Sequence, residues 1–218
     1  MCKLLADLIC AVKRSHPVQV AIDGVDAAGK TTLADTLGSL IEKHGRPVIR
    51  ASIDGFHNSQ KVRYQQGADS PEGYYRDSFN YEILQRDLLI PLSQRGNREY
   101  RRAVFNLWED APTYEAWCEA PANAILLFDG VFLLRQELIQ YWDFSIFIDV
   151  DFSISVRRAV ARDSRQGLGD SSIDAVQTKY HRRYVPGQQL YFKEAKPREQ
   201  ASIIVDNNDY RNPRIITK

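Results

Sequence analysis

Cysteine is scarce and odd in number: Cys2, Cys10 and Cys118 are the three in a chain of 218 residues, and no CxxC or Cys/His spacing joins them. A disulfide framework and a zinc site are therefore not expected, and a reducing, cytoplasmic setting is. Long hydrophobic runs are lacking too. No segment approaches the roughly 18 apolar residues that a membrane-spanning helix needs. The stretch 1–12, with Leu4, Leu5, Leu8, Ile9 and Val12 interrupted by Lys3 and Asp7, has the spacing of an amphipathic helix and is too broken for a signal-peptide core. Nor is there an excess of charge of one sign: Lys+Arg 29 against Asp+Glu 28 leaves a formal charge of +1. Nucleic acid and anionic membranes call for a basic excess or stripe, so neither is expected as a partner. A small molecule is, and assembly into a homo-oligomer stays open.

What is present is ordinary for a globular chain, with 44% hydrophobic and 26% charged residues, and the length suits one α/β domain over 1–218 with a small lid. Five short apolar runs alternate with helical patterns: 18–22 (VQVAI), 48–53, 124–128 (AILLF), 144–150 (FSIFIDV) and 202–205 (SIIV). Continuous apolar strands separated by helices predict a parallel five-stranded sheet covered on both faces, because a sheet with one wet face alternates polar and apolar. Ser153 is the expected cap of the helix after the fourth strand. Ligands in such sheets bind at the carboxyl ends of the strands, and long polar stretches at 56–77 and 96–121, around a helix at about 81–94, are the kind that carry function.

Residues 24–31, Gly24-Val25-Asp26-Ala27-Ala28-Gly29-Lys30-Thr31, match G-x-x-x-x-G-K-[ST] in full, with a strand before and the helical pattern Leu33, Leu37, Leu40, Ile41 after. Glycines let the backbone N–H groups turn inward around a phosphate at a helix N-terminus. Together with Thr32 this is an ATP-binding P-loop, with Lys30 reaching the β- and γ-phosphates and Thr31 holding Mg²⁺. Asp54 ends the second strand, read as a neighbour of the P-loop strand, where a carboxylate can take a proton from an attacking hydroxyl or hold a metal water. Asp129 ends the third strand in the position of a Walker B acid, a second metal site. Each is followed by Gly, so each is also readable as a turn.

Arg158 and Arg162 stand four apart on one helix face, ahead of Gly167 and Gly169. They read as a lid over 157–170 whose guanidinium groups meet the transferring phosphoryl group, or as a solvated face. His57, Tyr74, Tyr75, Arg76, Phe105 and Trp108 lie in the two long stretches as candidate substrate contacts, with exposed rings suited to a flat or sugar-like molecule; rim packing is the plainer reading. A guanine-specific N-K-x-D is absent, which favours a kinase acting on a small molecule over a GTPase; a P-loop ATPase or nucleotide switch is the rival class.

The blocks AIDGVDAAGKTT, ASIDGFH, ILLFDGVFLL, DFSIFIDVDFSISVRRAVARD and ASIIVDN together resemble the uridine kinase family of P-loop kinases, a group that includes pantothenate kinase and phosphoribulokinase. The resemblance implies an ATP- and Mg²⁺-dependent kinase phosphorylating a hydroxyl of a nucleoside-like metabolite, or pantothenate, another vitamin or a sugar. It implies phosphate and Mg²⁺ roles for Lys30 and Thr31, the base role for Asp54, the metal position for Asp129 and the lid for Arg158 and Arg162. Two departures stand out. The family's Glu is replaced by Asp129, and its F-D-x-P-x-A-F-D block, whose first Asp grips ribose hydroxyls, reads Gly73-Tyr74-Tyr75-Arg76-Asp77-Ser78-Phe79-Asn80 here.

Overall fold

The computed structural model describes residues 1–113, 115–165 and 172–216. Its frame is a sheet built from β1 (Val18–Gly24), β2 (Val48–Ser52), β3 (Ile125–Gly130), β4 (Phe144–Asp149), β5 (Ile203–Asp206) and β6 (Arg214–Ile216), in the order β6-β5-β4-β1-β3-β2. The first five are parallel, as their apolar runs predict, and form the α/β frame. The sixth, unexpected from the sequence, pairs antiparallel at the edge, Arg214 opposite Asp206. Three residues with one partly buried side chain are too short and too polar to announce a strand.

β1 and β3 are buried at every position. Ala21, Phe128 and Phe147 face one core, while Val20, Ile22, Leu127, Ile146 and Ile148 face the other. The second core is closed by α1 (Cys2–Ala11), through Leu5 and Ile9, and by α2 (Lys30–Lys43), through Leu33, Leu37 and Ile41. Each such side chain taken from water is worth about 1.5–3 kcal/mol, so the two layers hold the central strands, and their carboxyl ends, in fixed positions.

Strand order corrects one expectation. β2 pairs with β3 and not with β1, so Asp129 is the acid beside the P-loop strand, with Ile22 and Ser52 as its cross-strand neighbours, and Asp54 stands one strand further out. The helix α4 (Phe152–Arg165) opens with the N–H groups of Ile154 and Ser155 donating to the Asp151 carbonyl, which places Ser153 inside the first turn and not at the cap.

The polar stretches contain short elements. The first holds one helical turn, Gln60–Arg63, and α3 (Pro71–Asp77). Pro71 suits the first turn, and Ser70 Oγ accepts from the Gly73 N–H at 3.0 Å, so a Ser-Pro start makes a helix where a loop was expected. The helix expected at about 81–94 is present from Tyr81 to Leu92, with a π-turn at Gln85–Leu89. The second stretch forms two short antiparallel ladders. Beyond α4 lie α5 (Ile173–Lys179), a π-turn at Tyr180–Tyr184 and α6 (Val185–Ala195). The end of the expected lid, with Gly167 and Gly169, lies outside the described residues. No helix among the described residues is long and apolar enough to cross a membrane, and Cys2, Cys10 and Cys118 are free.

Candidate active site

The loop from Gly24 to Lys30 links the carboxyl end of β1 to the N-terminus of α2, which is where exposed N–H groups and the helix dipole favour phosphate. Its glycines are required by space and by backbone angle. A Cβ on Gly24 would sit 2.6 Å from the Ile148 carbonyl oxygen of β4, and Gly29 caps α2 at φ +94°. Asn207, from the end of β5, donates to the Ala28 carbonyl at 2.8 Å, and Lys30 Nζ donates to the Val25 carbonyl at 2.7 Å. The lysine thus lies folded over the loop it serves.

Thr31, in the first turn of α2, meets Asp129 at the end of β3: its hydroxyl donates to Oδ2 at 2.7 Å. Arg50 donates to the other oxygen, Oδ1, at 2.9 Å, to Asp35 at 3.0 Å, and to the Leu127 carbonyl at 2.7 Å. A hydroxyl and a carboxylate converging at a P-loop are hard oxygen donors of the kind Mg²⁺ takes, so these residues fit the ion. No group of three or more His, Cys, Asp and Glu gathers for a metal among the described residues. Mg²⁺ commonly keeps several waters and takes its other ligands from substrate phosphates, so one hydroxyl and one carboxylate are a sufficient protein contribution for that ion. Asp54 is exposed, and its carbonyl is 2.9 Å from His57 Nδ1. The His57 ring packs on Phe79, centroids 4.6 Å apart, and burial lowers its pKa, partly offset by the Asp54 carbonyl.

Two further acids stand at the loop, Asp23 in β1 just before it and Asp26 within it. Asp23, fully buried, accepts from the Gly24 N–H at 2.7 Å, the Leu134 N–H at 3.3 Å and the Tyr191 hydroxyl. Burial pushes its pKa up to about 6 against those bonds. Asp26 accepts from the Tyr74 hydroxyl at 3.2 Å and from Gln188 Nε2 at 2.9 Å. Burial raises its pKa as well, opposed by Lys30 and Arg162, while nearby Asp54 adds to the rise.

Arg158 and Arg162 share a helix face but diverge. Arg158 donates to the Asn208 carbonyl at 2.8 Å and lies over the Tyr210 ring. There it lines a cavity of about 370 Å³ with Ala27, Gly29, Thr32, Asn207 and Tyr210, on the outer side of the P-loop. Arg162 turns to Asp163 at 2.8 Å and the Tyr180 hydroxyl at 3.3 Å, within electrostatic reach of Asp26.

The aromatic candidates scatter. Tyr74 and Tyr75, expected as exposed loop rings, are 8% and 3% exposed, because α3 packs on α6 and Phe132. Tyr74, standing where the resemblance places a ribose-gripping acid, reaches Asp26 instead. Tyr75 lies under Arg135, and Arg76 pairs with Glu194 at 2.6 Å. Phe105 is in a short ladder, and Trp108 is 78% exposed beyond it. Sequence reasoning missed Arg50, Asn207 and Gln188. Asn207 had a signal in the ASIIVDN block; the other two meet their partners only through the fold.

Comparison with known proteins shows the family and the fold. A model of the phosphoribulokinase/uridine kinase family matches residues 19–207. The uridine kinase of Lactobacillus helveticus (strain DPC 4571) is 24% identical over 213 residues, covering 94% of this chain and 95% of that one. A solved structure described as a possible uridine kinase from Bacillus stearothermophilus superposes with TM-score 0.73 at 20% identity, covering 93% of this chain and 96% of the other. The D-glycerate 3-kinase of Cryptococcus neoformans var. grubii serotype A does so with TM-score 0.62 at 12% identity, over 99% of each chain. At these identities the structures share the fold.

Proposed function

The chain belongs to the phosphoribulokinase/uridine kinase family of P-loop kinases, and from that premise we propose that it transfers the γ-phosphoryl group of ATP to a hydroxyl of a small nucleoside-like metabolite in the cytoplasm. The observation that carries the proposal is the Thr31–Asp129 contact at 2.7 Å at the mouth of the P-loop, with Asp54 at the end of the next strand. A metal-binding pair and an exposed carboxylate on one sheet edge supply what phosphoryl transfer to an alcohol needs.

In this reading the base of ATP enters the cavity between Arg158, Asn207 and Tyr210, and the N–H groups of residues 25–31 wrap its phosphates. Lys30 exchanges the Val25 carbonyl for the β- and γ-phosphates. Thr31 and Asp129 would hold Mg²⁺, which would supply charge neutralisation at the phosphates. Asp54 takes the proton of the acceptor hydroxyl as its oxygen bonds to the γ-phosphorus and the bond to ADP breaks. His57, kept neutral by burial, braces the Asp54 backbone. Arg162 meets the charge that spreads over the phosphoryl oxygens.

The test is ADP formation measured with and without candidate acceptors: nucleosides, sugars, pantothenate and D-glycerate. ADP formed at least ~10-fold faster with one of them than without any is the expected result. Hydrolysis at the same rate whatever is added identifies an ATPase or switch and removes the kinase reading.

A further inference from the structure

Asp26 is the third residue of the phosphate loop, and its charge is wrong for a phosphate contact. A loop that binds anions through backbone N–H groups loses affinity when a carboxylate points into the cradle. Here the side chain is anchored elsewhere. Oδ2 accepts from Gln188 Nε2 at 2.9 Å and the Tyr74 hydroxyl at 3.2 Å, the Asp26 N–H donates to Gln188 Oε1 at 3.1 Å, and Ser155 Oγ donates to its carbonyl at 2.8 Å. Three helices, α3, α4 and α6, thus hold one acid in place. Space for any other arrangement is small: a Cβ on Gly187, next to Gln188, would lie 2.8 Å from the Tyr74 ring.

The anchoring leaves acceptor capacity unused. Oδ1 has the Tyr74 hydroxyl at 3.4 Å, which is long and shared with Oδ2. An ionised carboxylate has about four lone-pair sites, so Oδ1 keeps acceptor capacity for a further donor. Besides the tyrosines packed around it, the charged groups that act on this carboxylate are Lys30, Arg162 and Asp54, those placed above at the phosphoryl transfer. With nucleotide bound, Lys30 and Arg162 are engaged by phosphate, and the acceptor meets two carboxylates, Asp26 and Asp54. Of the other cations, Arg63 is held by Asp110 at 2.8 Å, Arg50 by Asp129 and Asp35, and Arg183, over the Tyr74 ring, by the carbonyls of Arg63, Gly67, Ala68 and Ser70. An anionic acceptor is repelled by that pair; a neutral one with several hydroxyls has a donor for each.

Resting on the kinase reading, we propose that Asp26 accepts a hydrogen bond from a second hydroxyl of the acceptor, distinct from the one phosphorylated, and so selects neutral polyhydroxylated substrates over anionic ones. Tyr74 and Gln188 are positioning residues for that carboxylate.

The test is calorimetric titration of the chain saturated with Mg²⁺ and a non-hydrolysable ATP analogue, beside isotope transfer from ATP to the same compounds. Uridine, D-ribose, D-glycerate and pantothenate are the probes. One neutral probe is expected to bind at least ~10-fold tighter than either anion and than its own deoxy analogue, 2′,3′-dideoxyuridine or 2-deoxy-D-ribose. Asp26→Asn is expected to weaken that probe ~10-fold or more and erase its advantage over the deoxy analogue, while the ATP analogue binds within about 3-fold of wild type. Tyr74→Phe gives a smaller loss of the same kind and leaves the deoxy analogue unaffected. The proposal is overturned if an anion binds best, if neither neutral probe binds, or if Asp26→Asn weakens only the ATP analogue. The kinase reading fails separately, when a probe binds through Asp26 and receives no phosphate.

Discussion

The Lys30 ammonium donates to the Val25 carbonyl, 2.7 Å away in its own loop, a contact that nucleotide phosphate replaces in the proposed function. Lys30→Ala therefore costs transition-state stabilisation, and kcat/KM is expected to fall by ~10²-fold or more in steady-state assays; near-normal turnover excludes the phosphate role. Asp54 is a different case, since its carboxylate is exposed and stands off the Thr31–Asp129 pair. Asp54→Asn keeps the shape and removes the proton acceptor, so kcat is expected to fall ~10²-fold while ATP affinity, read by calorimetry, stays within a few-fold. A collapse of affinity along with kcat makes Asp54 a metal residue instead. Both residues are legible in the sequence because a P-loop and a strand-ending acid are local patterns. Asp26 was legible as a P-loop member and not as an acid turned aside, because Gln188, which turns it, lies 162 residues away.

Along α4, spacing predicted a shared face for Arg158 and Arg162, and the fold gives that face two neighbours. Arg158 looks across to the residues after β5, and Arg162 to Tyr180 and Asp163. The two arginines are thus expected to separate kinetically. Arg158→Ala is expected to raise the KM for ATP several-fold with little change in kcat, because in the proposed function its cavity takes the unreacting end of the nucleotide. Arg162→Ala lowers kcat more than ATP affinity, and Arg162→Lys restores part of it, since charge is kept and the planar fork lost. Steady-state kinetics on the three variants checks this; identical profiles for both positions mean that α4 acts as one charged surface. A second element, the π-turn Tyr180–Tyr184, buries Arg183 against the carbonyls of Arg63, Gly67, Ala68 and Ser70. Helical periodicity could not reveal that, because the bond is to backbone and leaves no complementary side chain to find.

At the scale of the whole molecule, Asp23 couples stability to pH. It lies in β1 just before the P-loop, bonded to Tyr191 of α6 and the Leu134 N–H, and burial pushes its pKa up to about 6 from 3.8. Above about pH 6 the folded chain carries that charge in a dry site. As pH falls through 6 towards 4 the folded state takes up a proton the unfolded state does not, so this group adds stability, by up to roughly 3 kcal/mol, in that window. Urea midpoints between pH 4 and 8 are expected to show wild type gaining on Asp23→Asn as pH drops; parallel curves rule the linkage out. The sequence by itself determined the P-loop, the five parallel strands and the acids at their ends, because apolar runs, glycine turns and helix starts are written within a few neighbouring residues. The tertiary structure alone decided which acid stands beside the P-loop. Thr31 and Asp129, 98 residues apart, are brought together by the insertion of β3 between β1 and β2, and the burial of α3 and α6 turns Tyr74 and Gln188 from surface candidates into the holders of Asp26. Those outcomes depend on which surfaces exclude water together, a property of the packed chain that no local segment carries.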